Sequence, residues 1–297
     1  MLARLQTFIT FGLLLAAAGW AVVWTLSGHP GWAAAGALVI LLGYSLFLAA
    51  EFALLYVVEH AETASRPTLR QIWGAWCGEV VTAPRVFLWR QPFRSQVEPD
   101  HVPEAANGAT GVVLVHGFFC NRGLWNPWMR ALRARGVPFV AVNLEPLFGS
   151  IDHYADCIEA AVARIEAATG RPPVLVGHSM GGIAIRAWLA RFNADARVRH
   201  VVTIGTPHHG TWLARFGHTA NGRQMRHRGA WIVDLASREP AERYAKFTCY
   251  YGNCDNIVFP SSAAVLTGAQ NVHVPGTAHV QMAFAPIVFA GVLRWLD

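Results

Sequence analysis

Lysine is nearly missing from this chain: of 24 basic residues only Lys246 is one, and the rest are Arg. Charged residues are scarce altogether, 14 % of the total, with a net charge of +6. The basic residues are scattered, without the stripe and interleaved aromatics of a nucleic-acid surface, so no nucleic-acid partner is expected. A basic face held near anionic lipid headgroups is one reading of the excess. A solvated surface in an arginine-rich proteome is the other. Cysteine is sparse too: Cys77, Cys120, Cys157, Cys249 and Cys254 form an odd set with no metal-ligand spacing. They fit reduced thiols better than a disulfide scaffold. Cys249 and Cys254 are close enough to pair if the domain were exported. The chain also lacks internal repeats and low-complexity segments.

What is present in excess is apolar surface, 54 % of 297 residues, enough for one substantial core plus an accessory segment. It is unevenly spread. No residue from Phe8 to Leu26 is charged, and a second apolar run from Trp32 to Val58 is interrupted only by Glu51. A helix needs about 20 such residues to cross a bilayer core of about 30 Å. Ser27-Gly28-His29-Pro30-Gly31 between them is a breaker cluster. The pair therefore reads as a transmembrane helical hairpin within residues 1–60, with spans near 8–26 and 32–58. A cleaved signal peptide followed by a buried helix, or a dimerising helix pair, are the alternatives. Glu51 falls near the end of the second run, within reach of the interface or a partner helix. The turn carries no Arg, whereas Arg4 precedes the first run and Arg66, Arg70, Arg85, Arg90 and Arg94 follow the second. The positive-inside tendency then puts both ends, and the rest of the chain, on the cytoplasmic face of a bacterial-type inner membrane; the periplasmic face is the alternative.

Residues 61–108 read as a connecting region. It holds an amphipathic helix carrying Leu69, Ile72, Trp73, Trp76 and Val80, then a stretch punctuated by Pro84, Pro92, Pro99 and Pro103. Its tryptophans suit either a membrane interface or packing on the following domain. Over 109–297 short apolar runs alternate with helical segments. Gly111–Val115, Pro138–Val142, Val174–Val176, Val198–Ile204 and Phe247–Tyr251 read as strands buried on both faces; Leu124–Arg135, Ile151–Thr169 and Gly181–Phe192 read as helices. Such alternation predicts an α/β fold with a mostly parallel sheet covered by helices on both sides.

The most informative segment is Val174-Leu175-Val176-Gly177-His178-Ser179-Met180-Gly181-Gly182, a buried strand running into G-x-S-x-G and straight into a helix. Serine on so sharp a turn has a strained backbone and a hydroxyl lifted clear of the sheet. Gly177 and Gly181 leave room for close neighbours, and the helix start supplies unpaired N–H groups for developing negative charge. Ser179 is the candidate nucleophile. The base that it requires, and the carboxylate orienting that base, follow in the chain order Ser, acid, His. Asp255 lies just past the run Phe247–Tyr251; the competing Asp234 lies in an apolar helical stretch. His279 stands in a loop between a short strand and the last helix, while His208, His209, His218 and His227 precede the acid and His273 falls within the strand.

Gly177-His178-Ser179-Met180-Gly181-Gly182 resembles the nucleophile elbow of bacterial lipases and related α/β-hydrolase esterases. Val113-Leu114-Val115-His116-Gly117-Phe118 resembles their oxyanion-loop segment, and Thr203 to Thr211 their T-P-H-x-G-T segment. Asp255, followed by a hydrophobic pair and Pro260, and His279 before the last helix also match the family's acid and base segments. The resemblance spans about Gly111 to Leu296. It implies an α/β-hydrolase fold with a small cap or none, and a Ser179–Asp255–His279 triad. It also implies an oxyanion hole from the backbone N–H groups of Phe118 and Met180, with His116 bracing that loop. Trp212, Leu213, Phe216 and Met225 are candidates for an acyl channel or for ordinary packing.

The resulting expectation is a membrane-anchored serine ester hydrolase acting on an acyl ester, most simply a lipid, through an acyl-Ser179 intermediate. The same groups would serve an acyltransferase or thioesterase, and a non-catalytic membrane interaction protein is a third reading. The triad calls for no cofactor and no metal.

Overall fold

The computed structural model describes residues 1–59, 66–104 and 106–296. The boundary expected at residue 60 lies outside the described residues. Five helices precede the sheet. Helix α1 (Leu2–Leu26) turns back through Gly28, at φ +76°, into α2 (Pro30–Leu42), where Trp20 Nε1 donates to the Trp32 carbonyl at 2.9 Å. Helix α3 (Tyr44–Glu59) follows after Gly43 with a bend of 49°. The second apolar run is thus two helices rather than the single straight span expected. Their departure has a packing cause: Phe52 and Leu55 of α3 are buried, whereas most of α2 is exposed.

Helix α4 (Leu69–Pro84) takes the place of the expected amphipathic helix, opened by a capping box in which Thr68 and Gln71 exchange hydrogen bonds. The first part of the proline-punctuated stretch beyond it is helical, where a π-helical turn (Arg85–Arg90) leads into α5 (Gln91–Arg94), while Pro99 and Pro103 lie in irregular chain. Pro84 has no N–H for the Val80 carbonyl, and the Tyr44 hydroxyl supplies the missing donor at 2.7 Å. Pro92 stands in the first turn of α5, where an N–H is not required.

The remaining elements alternate. They are β1 (Val112–Val115), α6 (Asn126–Arg133), β2 (Phe139–Ala141), α7 (Tyr154–Thr169), β3 (Val174–His178), α8 (Met180–Phe192) and β4 (His200–Ile204). Two short helices, α9 (Ala220–Gln224) and α10 (Ala230–Ser237), precede β5 (Phe247–Tyr251), β6 (Gln270–His273), α11 (His279–Met282) and α12 (Pro286–Leu293). All sheet pairings are parallel, in the order β2-β1-β3-β4-β5-β6. Successive strand residues face opposite sides. Val113 and Val115 join the core beneath α7 and α8, while Val112 and Leu114 join the one beneath α6 and α12. Between β4 and β5 only α9, α10 and short 3-10 turns intervene, so the described residues hold no large cap. In such sheets the strands' carboxyl ends open onto the ligand crevice. Ser179, Asp255 and His279 all lie there.

Candidate active site

Ser179 follows the last residue of β3 and stands before the first of α8, with φ 54° and ψ −129°. That backbone costs a non-glycine residue about 1–3 kcal/mol and persists only where neighbours over-determine it. Its N–H donates to the Ile204 carbonyl of β4 at 2.8 Å, and its carbonyl accepts from Gly182 at 3.1 Å. Gly181 makes the close approach possible: a Cβ there would fall 2.3 Å from the Val115 carbonyl oxygen of β1.

The loop after β5 carries Asp255, 1 % exposed. Its Oδ1 accepts from the N–H groups of Ile257 at 3.0 Å and Val258 at 2.8 Å. Its two oxygens lie 2.8 and 2.9 Å from Nδ1 of His279. His279 opens α11 rather than lying in a loop as expected. Burial by itself lowers the affinity of this ring for a proton. The charge and hydrogen bond of Asp255, followed by the charges of Glu79 and Glu51, outweigh burial, and the pKa is raised above 6.5. Gly205, at φ +53°, lets the β4 loop pass the pair, since a Cβ there would meet Asp255 Oδ2 at 2.7 Å and His279 Nδ1 at 3.1 Å. Among the described residues no hydrogen bond joins Ser179 to His279; in free enzymes this contact often closes only around substrate.

The two expected N–H donors are unengaged. Met180 is the first residue of α8, where an N–H has no intrahelical acceptor. The Phe118 N–H has no protein acceptor among the described residues. His116 is buried and accepts the Leu144 N–H at Nε2 (3.0 Å), which leaves Nδ1 to donate to the Gly117 carbonyl at 2.9 Å. Burial drives its pKa down to about 4, so it braces this loop as a neutral ring. His178 packs with its ring centroid 4.6 Å from that of His279 and donates from Nε2 to the His279 carbonyl at 3.2 Å. Burial first, and then the neighbouring His279, hold it neutral.

Other candidates separate. Asp234 is exposed and pairs with Arg238. Met225 is in the core, whereas Phe216 is 61 % exposed and meets Trp212 edge-on, which itself stacks on Phe259 of the acid loop. Phe118 and Phe148 form a second aromatic pair beside the oxyanion loop. Cys249 and Cys254 are free thiols in separate clusters. Gly205 and Asn256, whose Oδ1 accepts the His279 N–H at 3.2 Å, were not singled out from the sequence. Among the described residues no cluster of His, Cys, Asp or Glu could hold a metal ion.

The sequence profile of the alpha/beta hydrolase family matches residues 112–289, more than half of the chain. The chain belongs to the alpha/beta hydrolase family. This hydrolase is similar to the mature lipase BlEst2 of Bacillus licheniformis over 66 % of its own length and 96 % of the lipase's, at 19 % identity and a TM-score of 0.57. Lipase B of Aspergillus fumigatus is similar at 20 % identity and a TM-score of 0.56; 64 % of this chain is covered and 53 % of that lipase, about half its length. No curated protein sequence matches the chain. These likenesses establish the fold; the chemistry must be argued from the site.

Proposed function

We propose that this protein is a membrane-anchored serine ester hydrolase with Ser179 as nucleophile, His279 as base and Asp255 as its orienting acid. The observation that carries the reading is the buried Asp255–His279 pair at the same sheet edge as a serine held in the strained elbow geometry. Ser179 Oγ attacks the acyl carbonyl while His279 Nε2 takes its proton, and Asp255 stabilises the imidazolium. The oxyanion is met by the N–H groups of Met180 and Phe118, each worth about 3 kcal/mol in such sites. His279 then protonates the departing alcohol, leaving acyl-Ser179. Water repeats the sequence to release the acid and regenerate the serine.

Membrane anchoring is supported by α1, whose most apolar window is only 6 % buried, and by the bent α2–α3 pair, which is apolar enough to span when counted as one. Exposed Phe8, Phe11, Leu15, Val39 and Phe47 form the apolar surface that such helices present to lipid. Arg placement favours the cytoplasmic face, and the aromatic pairs Phe118/Phe148 and Trp212/Phe216 suit an acyl chain drawn from the bilayer. The test is turnover of acyl esters of increasing chain length in detergent, with and without a competing alcohol, by the wild type and Ser179→Ala. The reading expects hydrolysis that Ser179→Ala abolishes. Predominant transfer to the alcohol would make it an acyltransferase, and equal turnover by the variant would refute the serine mechanism. Carbonate-resistant membrane association tests the anchor; release into the supernatant would refute it.

A further inference from the structure

Polar side chains from the N-terminal helices reach the loops of the catalytic centre. Gln6 of α1, 2 % exposed, bonds Gln91 Oε1 of α5 at 2.9 Å and touches the Phe119 carbonyl at 3.5 Å, next to the oxyanion loop's Phe118. Glu51 of α3 accepts from Asn256 Nδ2 at 2.7 Å, and Asn256 in turn holds the backbone N–H of His279. Glu59 accepts from the Ser261 backbone N–H, downstream of the acid. Glu79 of α4 is 2 % exposed, and its oxygens accept from the N–H groups of Val280 at 2.9 Å and Gln281 at 3.0 Å. These are the two residues that follow His279.

We propose that Glu79, aided by Glu51 through Asn256, is a positioning residue for His279, so that the N-terminal helices complete the catalytic centre as well as anchoring it. The inference rests on the serine-hydrolase reading. Its physical basis is twofold. The Glu79 carboxylate clamps two consecutive N–H groups, which fixes the backbone that aims the imidazole. Its charge lies in a water-poor site beside a ring that must become cationic when it takes the serine proton, and low dielectric magnifies that attraction. The ionisable groups facing His279 are Asp255 from the β5 loop, His178 from β3, Glu79 from α4 and Glu51 from α3. His178 is neutral, so the carboxylates set the field. Burial pushes the Glu79 carboxyl up to about 7. Its support for His279 is therefore strongest on the alkaline side of neutrality.

The experiment measures kcat, KM and their pH dependence for the full-length wild type, Glu79→Gln and Glu51→Gln in detergent, on one soluble acyl ester, with fluorophosphonate labelling of each. Glu79→Gln retains one acceptor oxygen but loses the charge and one of the two clamping bonds. It is expected to lower kcat about 10–100-fold with KM little changed, as when an outer partner of a functional histidine is removed. The acid limb of kcat/KM should also move down by about half a pH unit or more, because an imidazolium without its nearby anion is more acidic. Glu51→Gln should move the limb the same way by less. A folded Glu79→Gln enzyme with wild-type kcat, or with lower kcat but an unmoved limb, overturns the positioning role. Failure of both variants to fold, with a labelled wild type, overturns it too, because the carboxylates would then be purely structural. A wild type that neither turns over nor labels overturns the hydrolase reading itself.

Discussion

Replacing Asp255 with Asn exchanges one oxygen for nitrogen, and the structure says where the nitrogen must go. Oδ1 accepts from two backbone N–H groups, those of Ile257 and Val258, so the amide leaves its oxygen there. Its NH2 then takes the Oδ2 position, 2.9 Å from Nδ1 of His279. Two donors would face each other until the ring moves its proton to Nε2. That nitrogen is the one that must accept the Ser179 proton, so the base is left in the wrong tautomer, and the charge that steadied the imidazolium is also gone. Loss of the corresponding carboxylate in a serine triad lowers kcat by about 10⁴, or roughly 5 kcal/mol of barrier. A fall of about three to four decades is expected here, since Glu79 and Glu51 still supply negative charge nearby. The assay is kcat on a soluble short-chain ester, with thermal unfolding recorded in parallel. Folding should hold, because the amide oxygen keeps both backbone bonds. A variant within about tenfold of the wild type would refute the assignment of Asp255.

Three further outcomes follow from the same geometry. Because His279 acts as a base only when neutral and its pKa is raised, kcat/KM should fall as pH drops through a value above 6.5; a limb centred below that value would contradict the carboxylate field around it. Arg186 of α8 and Glu239 are both fully buried and paired, and Arg186 also donates to the His208 carbonyl at 2.7 Å. Arg186→Ala should therefore destabilise by about 3 kcal/mol in denaturant unfolding, since the buried Glu239 carboxylate keeps only the Tyr244 hydroxyl at 2.7 Å and the more distant Arg243 at 3.6 Å. Gly181→Ala, whose Cβ would lie 2.3 Å from the Val115 oxygen, should cost about 3 kcal/mol and depress activity, since it pushes the elbow off β1; an unchanged melting curve would count against the tight packing there.

Strands β1 to β5 were legible because each is a short, mostly buried run, and the elbow because Gly177-His178-Ser179-Met180-Gly181 joins such a run directly to a helix, whereas β6 is largely exposed and carries no such signal. The order of Asp255 and His279 behind Ser179 needed only the chain. What escaped the sequence depends on distant partners. Pro84 signals a break until the Tyr44 hydroxyl of α3 is seen satisfying the Val80 carbonyl, 36 residues downstream of that tyrosine. Glu51 in an apolar run reads as reaching a membrane interface or a partner helix; only the folded chain brings Asn256 to it, 205 residues downstream. Gly205 carries no signal in the sequence, and its reason is the Asp255–His279 pair that passes beside it. The bend at Gly43 has the same origin: α3 follows its buried Phe52 and Leu55 onto the domain, whereas α2 has no such face.

The claim on which the rest depends is that Ser179 is an activated nucleophile. Full-length protein in detergent, treated with a fluorophosphonate and mapped by peptide mass spectrometry, tests it directly. A single adduct on Ser179 is expected, lost in Ser179→Ala and slowed in Asp255→Asn. A folded wild type that takes no label, or a Ser179→Ala protein that labels equally well, would contradict it.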